Sequence, residues 1–194
     1  MNQKLKVIIS ILLTAVFFGV VIFMYNTLKE DYAPDVLNPP VTEGESGEEY
    51  DSTYGYVDAP DFTVTDAEGN SVKLSDYFGQ PIVLNFWATW CYYCKEEMPD
   101  FERAQKENPD VKFLMINSTD GVRETVDIAK KYIADQGFTF EVLFDTEGMA
   151  SYQYYITGLP STFFINADGR LVTYANSMLT YDDLIRGIGF VKGE

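Results

Sequence analysis

The sequence contains no histidine. That absence excludes a Ser-His or Cys-His dyad, a His-ligated zinc and a histidine pH switch. Cysteine is scarce too: the 194 residues hold 2, Cys91 and Cys94. With no further Cys or His, one chain cannot assemble a four-ligand thiolate zinc site. Basic residues are few, with 14 Lys and Arg against 30 Asp and Glu, for a formal net charge of -16. Such a chain repels phosphate backbones, which argues against nucleic-acid binding through a basic face. What the chain does have is 46% hydrophobic and 15% aromatic residues, enough to bury the core of one ordinary domain. All cysteine chemistry must lie in one short motif.

Residues 7–25 read VIISILLTAVFFGVVIFMY without a charge. A run of about 19 residues suits a span of the hydrocarbon core at roughly 1.5 Å per residue. Lys4 and Lys6 precede it, and Lys29, Glu30 and Asp31 follow. The positive-inside rule then leaves residues 1–6 as a cytoplasmic stub and sends the rest outside. A cleaved signal peptide is the alternative. Against it, the run exceeds an h-region of about 7–15 residues, and the following NTLKEDYAP holds no small-x-small cleavage site. An uncleaved anchor is expected. Residues 26–57, with PDVLNPP and TEGESGEEYDS, have the acid, Gly, Pro and Ser composition of a flexible tether. An acidic docking tail for a basic partner is the other reading of that segment.

Residues 58–194 read as one globular domain. The runs Phe62–Thr65 and Ser71–Leu74 flank Asp66–Asn70 as a hairpin. PIVLNFWA from Pro81 is a continuous apolar run suited to a buried central strand. A helix is expected from near Cys91 to Glu107, and a second buried strand over Val111–Asn117. Val122–Gln136 has an amphipathic helical period, with Val122, Val126, Ala129 and Ile133 on one face and Gly137 as its stop. Strand Phe140–Phe144, helix Glu147–Tyr155, strands Thr162–Ile165 and Leu171–Tyr174, and a helix from Thr180 or Tyr181 to Ile188 complete the domain. Strands alternate with helices before a closing antiparallel hairpin, which argues for an α/β fold with a mixed central sheet and helices on both faces.

Trp90-Cys91-Tyr92-Tyr93-Cys94 follows the PIVLNFWA strand and opens a helix. A thiolate at a helix N-terminus faces unpaired N–H groups and the positive end of the dipole, which lower its pKa below the free value of about 8.5. Cys91 comes first, nearest the helix end, and is assigned as nucleophile. Cys94 lies nearly one turn on, close enough to cleave a mixed disulfide as the resolving cysteine. A purely structural staple is the bland alternative. In the loop model it contributes on the order of 2 kcal/mol, little beside a core of this size.

NFWATWCYYCKEEMPDF resembles the active-site segment of the TlpA/ResA family of membrane-anchored, thioredoxin-like thiol–disulfide oxidoreductases. The upstream APDFTVTDAEGNSVKLSDYFGQPIVLNFWATWC resembles that family and the related peroxiredoxins in its entry hairpin. ITGLPSTFFINADGRLV resembles the cis-proline loop and closing hairpin of thioredoxin. The resemblance covers about Ala59 to Ile188. It implies a thioredoxin-like fold with an N-terminal β-hairpin and a central helix–strand insert over about Thr119–Asp145, preceded by one transmembrane helix.

Residue by residue, the resemblance implies that Pro160 is the cis-proline beside the CxxC and that the Leu159 backbone faces a substrate strand. Pro99 matches the proline that kinks the active-site helix. Of the two family tryptophans, Trp87 is expected in the core and Trp90 over the cysteines, with Tyr92 and Tyr93 facing substrate. Glu97, three residues past Cys94 and on the same helix face, matches a glutamate that tunes the cysteines; a partly buried carboxylate there has a raised pKa and exchanges protons with Cys94. An exposed surface acid is the alternative for Glu97. Lys95 is expected to be solvated. Thioredoxin carries a buried aspartate where this chain has Asn85, which increases the weight on Glu97. The Tyr92-Tyr93 dipeptide lacks the proline common in the family. Tyr152, Tyr154 and Tyr155 are expected to pack rather than line a groove.

No cofactor is expected, and the ligand count leaves no metal site to expect. The resemblance implies protein disulfides as substrates, apocytochrome c among them, and a CcdA-like integral-membrane thiol electron donor; the chain is expected to be a monomer. Three rivals stay open: a disulfide-forming oxidase, a thiol peroxidase and a non-catalytic binding domain. Peroxiredoxins place a Thr three residues before the reactive Cys, whereas Thr89 here is two before Cys91.

Overall fold

The computed structural model describes residues 3–31, 36–38 and 57–193. The chain divides into two compact units, Met1–Asp35 and Val36–Glu194. The first contains helix α1, Gln3–Asp31, which continues past the apolar run through Asn26–Asp31. Its side chains from Ile11 to Tyr25 are exposed; those of residues 4–8, 10 and 26–31 lie outside the described set. Among the described residues, no helix is long and apolar enough to cross a membrane.

The second unit is built on one sheet of eight strands. In chain order these are β1 (Val57–Asp58), β2 (Thr63–Thr65), β3 (Ser71–Lys73), β4 (Ile82–Trp87), β5 (Lys112–Asn117), β6 (Glu141–Phe144), β7 (Ser161–Ile165) and β8 (Arg170–Ala175). The spatial order is β1-β8-β7-β4-β5-β6-β2-β3. β4, β5 and β6 are parallel neighbours, while β7 runs antiparallel beside β4 and β8 antiparallel beside β7. The helices are α2 (Tyr92–Glu107), α3 (Val126–Gln136), α4 (Met149–Gln153) and α5 (Tyr181–Lys192). The expected mixed sheet, entry hairpin, inserted α3–β6 unit and closing hairpin are all present.

Side-chain alternation along the strands makes two cores. Val83 and Trp87 of β4, Phe113 and Met115 of β5 and Phe164 of β7 pack with Met98 and Phe101 of α2, Ala129 of α3 and Leu184 and Ile188 of α5. Their strand neighbours Leu84, Phe86, Leu114, Ile116, Phe163 and Ile165 pack on the other side with Phe62, Leu74, Ala150 and Tyr154. Phe101 is wholly buried, and truncating such a ring to alanine costs about 3–5 kcal/mol. α5 approaches β7 closely at Gly187, where an added Cβ would meet the Phe164 ring at 2.3 Å.

Three differences from the sequence-based expectation have physical causes. Val122 does not belong to α3 and is 89% exposed. The Asp120 carboxylate captures the N–H groups of Val122, Arg123 and Glu124 at 2.7–2.8 Å, so these residues form a turn. α3 starts after Thr125, whose hydroxyl caps it by accepting from Ile128 N at 3.2 Å, and ends at Gly137 in the left-handed region (φ 72°). The second difference concerns residues 26–57. Val36–Asn38 lie on the domain: Leu37 is buried in the α2-side core, and Asn38 N donates to Tyr174 O at 2.8 Å. Val36 and Leu37 are adjacent apolar residues in an otherwise polar stretch, and burial recovers their hydrophobic transfer energy. Residues 39–56 lie outside the described residues. The third difference is in the tyrosines of α4 and the turn after it: Tyr154 packs as expected, with Phe62, Phe86 and Phe163 around it, but Tyr152 and Tyr155 are exposed.

Candidate active site

β4 ends at Trp87, and a four-residue passage, Ala88–Cys91, leads into α2. Cys91 is the N-cap of that helix, with extended backbone (φ -78°, ψ 113°). Its Sγ accepts a hydrogen bond from Cys94 N at 3.1 Å. The two cysteines form a disulfide, with Cα atoms 5.3 Å apart. Cys91 is 5% exposed and Cys94 wholly buried. When the bond is reduced, the same N–H and the helix dipole favour charge on Cys91 Sγ. An exchange partner therefore meets the first sulfur before the second.

One turn beyond Cys94 sits Glu97, 1% exposed. Its Oε1 accepts from Asn85 Nδ2 at 2.9 Å and its Oε2 from Leu179 N at 2.9 Å. No cation is among these partners. Burial pushes the carboxyl up to about 8; the two hydrogen bonds oppose the shift and Asp100 adds to it. The exposed-surface alternative for Glu97 is thereby corrected: the helix turns this position toward the sheet because Cys94, Met98 and Phe101 share its buried face. Asn85 also donates from Nδ2 to Thr162 Oγ1 at 2.9 Å, its cross-strand neighbour in the β4–β7 pairing.

The Leu159–Pro160 peptide is cis. Pro160 precedes β7, whose first residue Ser161 pairs with Phe86 near the end of β4. This register puts Pro160 at the CxxC end of the sheet, and Leu159 packs against both cores. Trp87 is wholly buried, as expected. Trp90 is partly exposed, with the Arg123 guanidinium 4.1 Å from its ring centroid. Tyr92 and Tyr93 are exposed and meet edge to face at 5.4 Å. Lys95 is half-buried rather than fully solvated. Pro99 lies inside α2.

A second buried carboxylate escaped the sequence reading. Glu124 is wholly buried. Oε1 accepts from Thr89 N at 3.0 Å and from Asn117 Nδ2 at 2.7 Å, and Oε2 accepts from Thr89 Oγ1 at 2.6 Å. It ties the passage before Cys91 to the end of β5. The available signal was Asp120-Gly121, a turn pair that breaks the helical period before Glu124. Thr162 and Leu179 carried no local signal. Among the described residues there is no cluster of Asp, Glu, Cys or His able to hold a metal. Two clefts of about 320 and 500 Å³ lie along β2–β3 and against α3, and neither cysteine lines them.

A cysteine pair at the N-terminus of the first helix after a central parallel strand, with a cis-proline turn at the same end of the sheet, defines a thioredoxin-fold thiol–disulfide oxidoreductase. Residues 57–174 match the model of the AhpC/TSA family. The chain is 32% identical over 136 residues to the thiol-disulfide oxidoreductase ResA of Geobacillus kaustophilus (strain HTA426), covering 69% of this chain and 76% of that one. Among solved structures it is similar to a putative thiol:disulfide interchange protein DsbE from Chlorobium tepidum, with 28% identity, TM-score 0.62, and 69% and 94% of the two chains covered. It is also similar to the pneumococcal exposed lipoprotein thioredoxin Etrx1 of Streptococcus pneumoniae strain TIGR4, with 27% identity, TM-score 0.60, and 70% and 100% covered. The chain belongs to the AhpC/TSA family and to its ResA-like thiol–disulfide oxidoreductases, and it is an enzyme of that class.

Proposed function

We propose that this chain is a membrane-anchored, extracytoplasmic reductase of protein disulfides. The observation that carries the reading is the Cys91–Cys94 pair at the N-terminus of α2 with Glu97 one turn beyond Cys94, a buried carboxylate with neutral partners. In the cycle, the Cys91 thiolate attacks a substrate disulfide and a mixed disulfide forms as the first substrate sulfur leaves and takes a proton. Cys94 gives its proton to Glu97 and attacks Cys91 Sγ. The second substrate thiolate leaves, and the enzyme holds the Cys91–Cys94 bond. Two electrons have passed from the enzyme dithiol to the substrate. The substrate strand lies along Leu159–Pro160, with Trp90, Tyr92 and Tyr93 around the sulfurs.

The uncharged run Val7–Tyr25, flanked by Lys4 and Lys6, supports the anchor and its orientation. An anchored domain outside the membrane meets no glutathione pool or cytosolic thioredoxin, so a CcdA-like integral-membrane thiol donor re-reduces it. Apocytochrome c is the proposed substrate class. The AhpC/TSA match raises the thiol-peroxidase reading. Thr89, however, is two residues before Cys91, and its hydroxyl is committed to Glu124.

The test is trapping with Cys94→Ser, which stalls the mixed disulfide on Cys91. Mass spectrometry of the trapped species should return extracytoplasmic proteins, with cytochrome c CxxC peptides among them. Efficient trapping without such peptides would remove the cytochrome reading. Rapid peroxide turnover by the purified protein would replace it with the peroxidase. A measured potential near the roughly -120 mV of the strong oxidants of this fold would make it an oxidase.

A further inference from the structure

Glu97 lies against a hydrogen-bonding arrangement with one atom left over. Leu179 N is a peptide donor and cannot accept, so Oε2 is an acceptor whatever the charge on the carboxyl. An acid proton on Glu97 therefore sits on Oε1, which now receives Asn85 Nδ2. A protonated Oε1 would set two donors against each other there. The remedy is present in the same side chain: Asn85 Oδ1 is buried and has no protein partner, and Thr162 Oγ1 faces the same amide nitrogen. Rotating the amide by half a turn exchanges Nδ2 and Oδ1. Oδ1 then accepts from Glu97 Oε1–H and from the Thr162 hydroxyl, and Nδ2 becomes the unpartnered atom.

We infer that Asn85 and Thr162 are positioning residues that form a two-register switch, presenting donors to the Glu97 carboxylate and an acceptor to the Glu97 acid. Each register makes the same number of hydrogen bonds and strands one amide atom, so neither charge state is left facing a mismatched partner. The inference deepens the proposed role of Glu97 as proton carrier and rests on it for its use in the cycle. When Cys94 passes its proton to Oε1, the amide turns; when the proton leaves, it turns back. Proton transfer at Glu97 is thereby coupled to β7, the strand that follows the Leu159–Pro160 turn. Around Glu97, α2 contributes Asp100 and the disulfide-bonded Cys94, β4 contributes neutral Asn85, β7 neutral Thr162, and the segment before α5 the Leu179 peptide. Asp100 is the charged group whose field reaches the site.

The test is NMR on the full-length chain in detergent, following the Glu97 carboxyl carbon and the Asn85 side-chain amide from pH 5 to 10. The two signals should titrate with one midpoint, and the Asn85 N–H hydrogen bond to Glu97 should vanish in the acid form. An Asn85 amide that stays bonded to Glu97 through the titration would overturn the switch. Glu97→Gln should lock Asn85 in the acid register at every pH, since its own amide can present N–H to Asn85; an unlocked Asn85 would overturn it too. In Asn85→Leu, both charge states lose a hydrogen bond, so the Glu97 midpoint should rise by less than about one pH unit. A larger rise would make Asn85 a fixed donor to the carboxylate and contradict the switch. Unchanged disulfide-exchange kinetics in Glu97→Gln would remove the proton-carrier role while leaving the wild-type titration to decide the switch.

Discussion

Glu97 and Glu124 are two buried carboxylates that flank the same cysteine motif and are held in opposite ways. Glu124 receives the Thr89 N–H, the Thr89 hydroxyl and the Asn117 amide, all on the passage before Cys91 or the strand beside it. Glu97 receives one amide and one peptide N–H, on the helix after Cys94. Burial is equal in the two cases. What differs is the supply of donors and which of them can turn. A carboxylate ringed by donors works as a clamp on the loop. One facing a reversible amide can hold a proton and release it.

The comparison is sharpened most by pH. Glu97 is raised to about 8 in the folded chain against 4.5 when exposed. Between these values the folded state binds more protons than the unfolded state, so stability falls as pH rises. Relative to Glu97→Gln, the wild type should lose up to about 4 kcal/mol between pH 5 and 8, at about 1.4 kcal/mol per pH unit. Urea unfolding of both proteins across that range measures it. Parallel curves would show that Glu97 does not carry this pH dependence.

Next in size is the clamp. Glu124→Ala strands buried donors on Thr89 and Asn117, each worth about 1–3 kcal/mol, and should cost about 3 kcal/mol in denaturant unfolding. It should also speed amide exchange at Thr89–Cys91 relative to the rest of the domain. A loss as small as that of an exposed carboxylate would show that the clamp does not hold the loop. The smallest effect belongs to Arg123→Ala, which removes the cation over Trp90 and should cost roughly 0.5–1 kcal/mol, read also as a change in Trp90 fluorescence. A larger cost would shift the clamp from Glu124 to its neighbour.

Most of the fold was legible because it depends on local chemistry. The apolar run PIVLNFWA became β4, and Gly137 ended α3 where the period stopped. The CxxC was readable in the same way, as was the helix face shared by Cys94 and Glu97; the Leu159–Pro160 turn came from the family resemblance rather than from local pattern. The polar partners were not readable. Glu97 meets Leu179 across 82 positions, and Asn85 meets Thr162 across 77, so both contacts depend on register and packing rather than local pattern. Glu124 was misread as part of a helix because Val122 fits an apolar period; the three N–H groups taken by Asp120 outweighed that one side chain. Leu37 shows the converse, an apolar residue in an acidic stretch whose docking no periodicity announces.

The role of Glu97 is tested most directly by the pH dependence of the Cys94 attack, measured in single-turnover exchange with a pre-formed mixed disulfide on Cys91. In the wild type the rate should rise through a midpoint near pH 8, where Glu97 becomes able to take the Cys94 proton. Glu97→Gln should displace that limb and lower the rate at neutral pH by about tenfold or more. Superimposable profiles for the two proteins would contradict a proton-carrying Glu97.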